Sequence, residues 1–503
     1  MNPIWKKRLI ASFCSIFAIY AGFQIADGSI GLLALLGAFL VLASLQRWTG
    51  IRAETWILCS VLIGYIVGNR GFAQQLLPGT LPLLPAEAAL MSCGVIVLVR
   101  GAMARRFPID KDSLSLAILA WMVISLARLP WDMRTHGFIA LRDAATVYYA
   151  AFFFITVYAA RQVTDQKALA AALTIALGLL PPLFFLSNAL PYFFTHQLAL
   201  NGVPLIVIKP DLASTYSGAA LLWFYFRQRA KQGAAWLNLV FFLGNFALFA
   251  YAIGRSTIVA MMGVCLLLFY AREGRFVLRF AAVAVLAMTI SVAVAIFQDR
   301  DLSQTHAYGF LEKARSILDV SGSGAYQSSA ALSSPDNNRF RLVWWRQVLQ
   351  ETFAGGPIFG LGWGYDLAAG FSREYFGLED ESFTVRSPHN ILITLFGRSG
   401  FLGLASFLAV VAAGAAQGFG AIRRHRDSPA YGTVALWTGG GLYFVCACFG
   451  VVLEGPMGAI PFWIILGLAQ QEAETAGRHA TAAGAASLGN DTAPLPAPAG
   501  RVY

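Results

Sequence analysis

Hydrophobic segments follow one another at short intervals along most of this chain, and a polar stretch between Gln298 and Pro388 interrupts them. Roughly 20 apolar residues cross a bilayer, and a crossing segment must be helical so that its backbone groups bond internally. By this criterion about fourteen segments are predicted to span a membrane, near 9–26, 29–46, 55–69, 82–99, 112–128, 144–160, 167–187, 211–226, 235–253, 256–271, 277–297, 390–418, 431–452 and 457–470.

Basic residues mark one side of these segments. The connections after the even-numbered segments are rich in Lys and Arg, and Lys6, Lys7 and Arg8 belong with them. The positive-inside rule then places both termini in the cytoplasm and the polar stretch outside, which is the periplasm of the inner membrane if the host is a Gram-negative bacterium. The pattern predicts an all-α polytopic membrane protein with about 14 (12–14) transmembrane helices and one large, partly helical periplasmic loop.

The same pattern divides the chain into four units. We expect an N-terminal transmembrane bundle of about eleven spans over 1–297 and the large periplasmic loop over 298–388. C-terminal transmembrane helices follow over 389–471. The tail, 472–503, is rich in Ala, Gly, Thr and Pro and is predicted to be disordered and cytoplasmic.

Composition agrees with a membrane protein. Hydrophobic residues make up 57% of the chain and charged residues 13%, with a mean hydropathy of +0.62, whereas soluble proteins carry roughly a quarter charged residues. The net charge of +11 reflects the basic loops on one side and does not indicate a nucleic-acid partner. The six cysteines lie inside predicted spans, which favours buried apolar roles over disulfides or metal ligation.

Several charged residues fall together at the predicted outer boundary of the membrane. Arg142, Lys209 and Arg255 each open a predicted span, His389 opens another, and Glu454 closes one. Taken singly, a long cationic side chain at the end of a span often has no further role than to extend its charge to the membrane–water interface. Their convergence on one face with a histidine indicates a functional site.

These residue types suit glycosyl transfer. Arginine presents paired donors that match phosphate oxygens, and histidine can accept a proton from an attacking hydroxyl near neutral pH. His389 is therefore the candidate base, and Arg255, Arg142 and Lys209 are candidates to neutralise a departing lipid diphosphate. The simpler interpretation is that His389 only begins the helix and caps it together with Asn390.

The polar loop offers further binding surface. Arg339 and Arg341 alternate with aromatic residues such as Trp344, whose flat faces can stack on sugar rings. Loop helices lying on a membrane carry the same residue types at the interface, so this second interpretation stays open. Other aromatic candidates in the loop are Trp345, Trp363, Tyr365, Tyr375 and Phe376.

A metal would change the mechanism. Asp299 and Asp301 form an Asp-x-Asp pattern, as metal-dependent sugar transferases use, and Glu379–Glu381 is a second acidic group. Such short patterns arise often by chance, and the histidines outside the predicted spans lack ligand spacing. We therefore predict no metal and no cofactor.

Three motifs resemble one known family. The run Ser387–Leu404, with Ser387-Pro388-His389-Asn390 before a Leu-rich helix and a Gly-x-x-Gly-Leu, resembles the signature of the O-antigen ligase and polymerase superfamily. Arg341–Trp345 followed by Pro357–Gly364 is similar to the other half of that domain, and Gly254–Thr257 looks like its Ser-Arg element. The likeness covers roughly residues 210–405.

The resemblance implies a metal-independent, inverting glycosyltransferase that moves a glycan from undecaprenyl diphosphate to an acceptor on the periplasmic side. It implies that His389 is the base and that Arg255 binds the diphosphate. The chain departs from the family at Arg398, a position that is often acidic, and at Lys209 and Asp211, which stand where the family has Arg and Asn.

Four functions are compatible with these features. The first is an O-antigen ligase, which transfers the glycan to lipid A–core sugar, and the second is a polymerase for O-antigen or exopolysaccharide, whose acceptor is another lipid-linked glycan. The third is a transporter or flippase for lipid-linked sugars, in which Arg and His line an outward cavity. A protein O-glycosylating transferase would use the same site. The large loop and the scarcity of charge within the spans favour an enzyme.

Overall fold

The computed structural model describes residues 41–490 except 43, 77–83, 106–108, 320–323, 329–330, 332–333 and 377–384. Most of the first two predicted spans therefore lies outside the described residues. Among the described residues, regular structure is almost entirely helical, with one short antiparallel hairpin formed by β1 (Ala199–Leu200) and β2 (Val203–Pro204).

The helices are numbered here in chain order. They are α1 (Ala53–Ala73, with a π-helical part at Gly64–Gly68), α2 (Pro85–Ala104), α3 (Ser113–Leu126), α4 (Leu129–His136), α5 (Phe138–Asp143), α6 (Ala145–Tyr148), α7 (Ala151–Ala159), α8 (Val163–Ala189), α9 (Pro210–Arg229), α10 (Ala235–Ala252), α11 (Arg255–Tyr270), α12 (Gly274–Phe297), α13 (His306–Leu318), α14 (Ser334–Gly355), α15 (Ala369–Phe376), α16 (Ile391–Asp427), α17 (Tyr431–Ala447) and α18 (Pro456–Asn490).

The predicted spans coincide with helices wherever the structure describes them. Among the described helices, seven are long and apolar enough to cross a membrane, and the bent pair Phe138–Tyr148 and Ala151–Ala159 is a further candidate. The all-helical membrane class is therefore confirmed. The number of spans and the side on which the loop lies stay predictions.

Helix α9 lies at the centre of the bundle. Every residue from Leu212 to Phe226 is buried, and the helix packs against α10 on one side and α17 on another. The helix is not wholly apolar: its Ser214 shares a hydrogen bond with Thr257 of the neighbouring α11 at 3.0 Å, and other helices cover it around its whole circumference. Its two ends, at Lys209 and Arg229, therefore mark opposite ends of the bundle.

The last helix differs from the sequence expectation for the tail. Helix α18 continues to Asn490, past the residue at which disorder was predicted to begin. Its sequence beyond Gln471 is rich in Ala, which has the highest helix propensity of all residues, and this favours continuation of the helix. Residues 491–503 lie outside the described part of the chain.

The polar loop joins the bundle through backbone hydrogen bonds at a break in α16. Gly400 has φ +63° inside this helix, so the regular bonding is interrupted there. The loop segment 357–362 supplies the missing partners. Leu361 N–H donates to Gly397 O at 2.7 Å, and Phe401 N–H donates to Pro357 O at 2.8 Å, with two further bonds between Gly362 and Arg398 and between Leu402 and Ile358.

Only glycine suits position 400. A Cβ there would lie 2.4 Å from the carbonyl carbon and oxygen of Ile358, and the positive φ already disfavours any side chain. We expect Gly400→Ala to lower the free energy of unfolding by about 2 kcal/mol or more. Thermal unfolding in detergent measures this. Gly441→Ala in α17, where a Cβ meets nothing within 4 Å, is the matched control and should leave stability close to wild type.

Candidate active site

Four basic residues predicted from the sequence converge at one end of the bundle. Lys209 precedes α9, Arg255 begins α11, Arg341 lies on α14 of the loop, and His389 precedes α16. Electrostatic interactions link His389 to Arg341, to Lys209 and to Asp211, and they link Arg341 to Arg255 and Asp211. We call these five residues the basic cluster.

An open cleft of ≈360 Å³ adjoins the cluster, between α11 and α14; Arg255 and Arg341 line it, whereas His389, Lys209 and Asp211 do not. Its α14 wall consists of Asn338, Arg341, Leu342 and Trp345, which recur at the i, i+3, i+4, i+7 spacing of one helix face. Arg255 faces them across the cleft. The remaining lining residues are Ser256, Val259, Ile317 and Phe449, so the cleft combines two guanidinium groups with apolar walls.

Arg255 is held in place by the loop. Its Nη1 donates to Asn338 Oδ1, and Asn338 Nδ2 in turn donates to Asp319 O at 2.6 Å. Lys313 Nζ donates to Ile253 O at 3.0 Å, close to the start of α11. The loop helices α13 and α14 therefore orient the start of α11 and the guanidinium of Arg255.

His389 stands in a turn with φ +57°, a left-handed conformation that is rare for a non-glycine residue. Trp345 Nε1 donates to Pro388 O at 2.7 Å, and the ring of Trp344 lies edge-on to the imidazole, with 5.8 Å between ring centroids. His389 Nδ1 is buried, and no described group bonds to it. The loop therefore holds the backbone of His389 in an uncommon conformation, which indicates a functional constraint on the position of the imidazole.

Asn390 caps the helix, and His389 does not. Asn390 Oδ1 accepts from the N–H groups of Leu392 at 2.9 Å and Ile393 at 3.3 Å, which are free donors at the helix start. The capping role considered for the two residues together thus belongs to Asn390 alone. Its predicted contact with substrate stays a prediction.

Burial keeps the imidazole neutral. The pKa of His389 is lowered to about 4, chiefly by burial and also by the positive charges of Arg341 and Lys209, while Asp211 opposes the shift. The pKa of Arg341 is also lowered, to about 10, first by burial and then by Arg255. The cluster thus holds more positive than negative charge, in surroundings that favour an incoming anion.

The position of Lys209 depends on the irregular part of α1. At Asn69, φ is +53° and the helix leaves regular bonding, so Val207 can pair with its backbone. Val207 N–H donates to Gly68 O at 3.1 Å, and Lys209 N–H donates to Asn69 Oδ1 at 3.2 Å. These bonds attach the residues before α9 to α1 and place Lys209 at the cluster.

Three predicted site residues lie elsewhere or are enclosed. Arg142 on α5 and Arg339 on α14 do not line the cleft, and Arg339 is exposed. Trp344 is fully buried, stacks on Phe371 at 4.7 Å and donates to Leu367 O. The predicted contact of Trp344 with substrate stays a prediction; in this structure the side chain lies in the core of the loop next to His389, and Trp363 is likewise fully buried.

Asp143 connects both ends of the segment that carries His389. It contacts Arg398 at 2.7 Å and Arg386 at 3.5 Å. Arg398 also donates to Tyr365 O at 3.2 Å, and Arg386 donates to Gly364 O at 2.7 Å. The unusual Arg398 is thus a structural residue here, paired with a carboxylate of the short helix α5.

A second carboxylate lies close to the start of α16. Thr394 Oγ1 donates to Glu454 Oε1 at 3.0 Å, so the segment between α17 and α18 meets the helix that follows His389. Burial raises the pKa of Glu454 to about 7. This carboxyl therefore changes its protonation state near neutral pH, next to the basic cluster's helix.

The acidic patterns considered for metal binding do not assemble a ligand set within the described residues. No group of three or more His, Cys, Asp or Glu side chains there could hold a metal ion. Asp301 Oδ1 instead accepts from Ser303 N–H at 2.9 Å, as the cap of a short turn. Glu379–Glu381 lies outside the described residues.

Sequence reasoning missed three residues that organise the site: Lys313, Asn338 and Asp143. The helical spacing of Asn338, Arg341 and Trp345 was a usable signal, because a helix over this segment puts them on one face and Arg339 on another. No local signal distinguished Asp143 or Lys313, whose partners are distant in sequence.

The Asp143 contacts predict a large effect of one substitution. Side chains of Arg398 and Asp143 are 4% and 9% exposed, so Asp143→Asn leaves a buried guanidinium without its carboxylate. We expect a loss of about 3 kcal/mol in unfolding free energy, with weaker activity because the His389 segment loosens.

Asp110→Asn is the matched control. Asp110 pairs with Arg161, but both side chains are partly exposed, at 31% and 30%. Such surface pairs contribute at most about 1 kcal/mol. Chemical unfolding of both variants in detergent compares them, and equal losses would contradict the role assigned to Asp143.

A comparison with protein families identifies the region that contains this cleft. Residues 237–408 match the family described as O-antigen ligase. The matched region includes Arg255, Arg341 and His389, together with the helix break at Gly400. No curated protein matches the chain. The match over residues 237–408 supports the relation of this membrane protein to the O-antigen ligase and polymerase superfamily.

Proposed function

We propose that this protein is a membrane glycosyltransferase of the O-antigen ligase type. It would move a glycan from undecaprenyl diphosphate to an acceptor hydroxyl on the periplasmic face of the inner membrane, with both termini in the cytoplasm. The observation that carries the proposal is the basic cluster: Arg341 and Lys209 lie close to the neutral imidazole of His389, and Arg255 and Arg341 line the adjoining cleft. His389, Arg255 and Arg341 all belong to the region that matches the family.

The chemistry follows from the charges. His389 accepts the proton of the acceptor hydroxyl, whose oxygen attacks the anomeric carbon of the donor glycan. The new glycosidic bond forms as the bond between that carbon and the diphosphate oxygen breaks, and the electron pair leaves with the diphosphate. Attack opposite the leaving group inverts the anomeric configuration. Arg255, Arg341 and Lys209 stabilise the departing negative charge, so no metal is needed.

Donor binding would itself prepare the base. Arg341 and Lys209 lower the pKa of His389 in the free protein. A diphosphate bound between them adds compensating negative charge, which favours the imidazolium form. His389 thus becomes a stronger base when the donor is present and stays neutral without it.

Ligase and polymerase share this donor chemistry and differ in the acceptor. The match to the family does not separate them, and we put the ligase first, with a lipid A–core sugar as its acceptor. Deletion of the gene separates the two activities in the cell's polysaccharide profile. Loss of attachment with accumulation of long lipid-linked chains supports a ligase, whereas single repeat units attached to the acceptor support a polymerase.

Removal of the imidazole tests the proposal directly. We expect His389→Ala to lower the transfer rate from purified undecaprenyl-diphosphate glycan by at least about 100-fold, because a general base contributes that much or more. His196→Ala removes an exposed histidine outside the cleft and is the control. Transfer by His389→Ala at the wild-type rate, in protein that folds normally, would refute the assignment.

The same assay tests the metal alternative. A chelator should leave the wild-type rate unchanged, since the cationic side chains carry the charge stabilisation. Loss of activity on chelation, with recovery on addition of a divalent cation, would favour a metal at Asp299 and Asp301.

The pH dependence tests the role of Arg341. The pKa of His389 is about 4, so kcat/KM should stay constant on the acid side until the pH approaches this value and the imidazole becomes protonated. Arg341→Gln removes a positive neighbour, so the pKa of His389 rises towards its ordinary value and the acid limb moves to higher pH. Arg346→Gln, at a position of the same helix outside the cleft, should not move it.

A further inference from the structure

A second cavity lies at the other end of the central helix. Helix α9 runs for 20 residues from Pro210, beside the basic cluster, to Arg229. At ~1.5 Å per residue the two ends are about 30 Å apart. The cavity adjoins Trp223 and Arg227 near the end of α9, so it is separate from the candidate active site.

This cavity is large and basic on one side. Its volume is ≈670 Å³, and α8, α9, α17, α18 and the turn after α9 enclose it. Lys167 and Arg227 supply two positive charges, and Gln232 supplies an amide. Glu472 lines the wall at Gly432, where its carboxylate lies against the glycine. The lining therefore presents cationic groups to an open volume.

Arg227 is the informative residue. Its Nε is buried and has no hydrogen-bond partner among the described groups, and its one hydrogen bond there is a long contact from Nη1 to Gln232 Oε1 at 3.4 Å. Its guanidinium lies over the ring of Trp223 at 5.8 Å. Arg229, two residues on, also has a buried Nε without a hydrogen-bond partner among the described groups, but its guanidinium pairs with the carboxylate of Glu273 at 3.4 Å.

A buried guanidinium donor without an acceptor costs free energy, which a bound anion would recover. Trp223 Nε1 already donates to Thr174 Oγ1 at 3.0 Å, so the indole over which the Arg227 guanidinium lies is held in its orientation. A planar, oriented guanidinium suits two oxygens of one phosphate, and a nearby lysine adds a point charge.

We propose that this cavity binds the phosphate group of an anion, through Arg227 and Lys167. The phosphate belongs either to the headgroup of an anionic phospholipid or to a soluble phosphorylated compound. Basic pockets between transmembrane helices on the cytoplasmic side hold anionic lipid headgroups by this chemistry. The cavity lies at the end of the bundle where the positive-inside rule places the cytoplasm.

The occupant would join four helices. Lys167 is on α8 and Arg227 on α9, while α17 and α18 complete the wall. An anion held between them bridges helices that otherwise meet around an open volume. Binding to the folded protein alone raises its resistance to unfolding by mass action, so thermal stability reports occupancy without any measurement of glycosyl transfer.

Two probes separate the two sources of phosphate. Full-length protein is reconstituted in phosphatidylcholine nanodiscs with or without phosphatidylglycerol, and lipid retained after extraction is counted by native mass spectrometry. In parallel, protein in neutral detergent is titrated with inorganic phosphate, with chloride at equal ionic strength as the reference, while thermal unfolding is recorded. Retention of phosphatidylglycerol identifies a lipid headgroup, and stabilisation by inorganic phosphate identifies a soluble anion.

Arg227→Gln should lower the affinity for whichever probe the wild type binds, phosphatidylglycerol or inorganic phosphate, by about tenfold. This is the loss expected when a charge-assisted hydrogen bond is removed. Arg423→Gln removes an exposed positive charge outside the cavity and should bind like wild type. Lys167→Gln gives a second test if Arg227→Gln fails to fold. Equal binding by wild type and both cavity variants, or failure of wild type to prefer either probe, would overturn the proposal.

Discussion

The exchange of backbone hydrogen bonds at Gly400 is the constraint on which the site depends. The regular hydrogen bonding of α16, the helix after His389, is interrupted at Gly400, and backbone groups of the loop segment 357–362 supply hydrogen bonds there instead. Because Gly360 and Gly400 approach backbone to backbone, the loop cannot shift along the helix without breaking several bonds. The loop, which supplies Arg341, is thereby registered against the helix that follows His389. Asp143 adds an electrostatic connection to the same two parts of the chain.

The basic cluster is arranged for a ligand that carries negative charge. Arg341 and Lys209 lower the pKa of His389, Arg255 lowers that of Arg341, and Asp211 is the one carboxylate of the cluster. Such an arrangement costs free energy in the unliganded protein and becomes favourable when an anion enters. The same reasoning applies at the far end of the central helix, where Arg227 lacks a carboxylate partner among the described residues. One buried helix therefore separates two places that favour phosphate.

Helix faces decide which of the neighbouring residues can act. Arg339 and Arg341 are the same residue type on the same helix, yet Arg341 lines the cleft and Arg339 is exposed. Residues two positions apart on a helix are rotated by more than half a turn, so they lie on different faces. Trp344 and Trp345 differ in the same way: the first is enclosed in the core of the loop, and the second lines the cleft. A helical projection of residues 334–355 is enough to put the two members of each pair on different faces.

The sequence by itself determined the membrane class, the positions of the helices and the three motifs that carry the family. Those properties follow from local apolar length and from short residue patterns, which need no partner elsewhere in the chain. The tertiary structure decided which charges meet. Asn338 with Arg255, Asp143 with Arg398, and Lys209 with Asn69 are pairs far apart in sequence. Such contacts depend on how helices pack and where they break, and no local pattern encodes them.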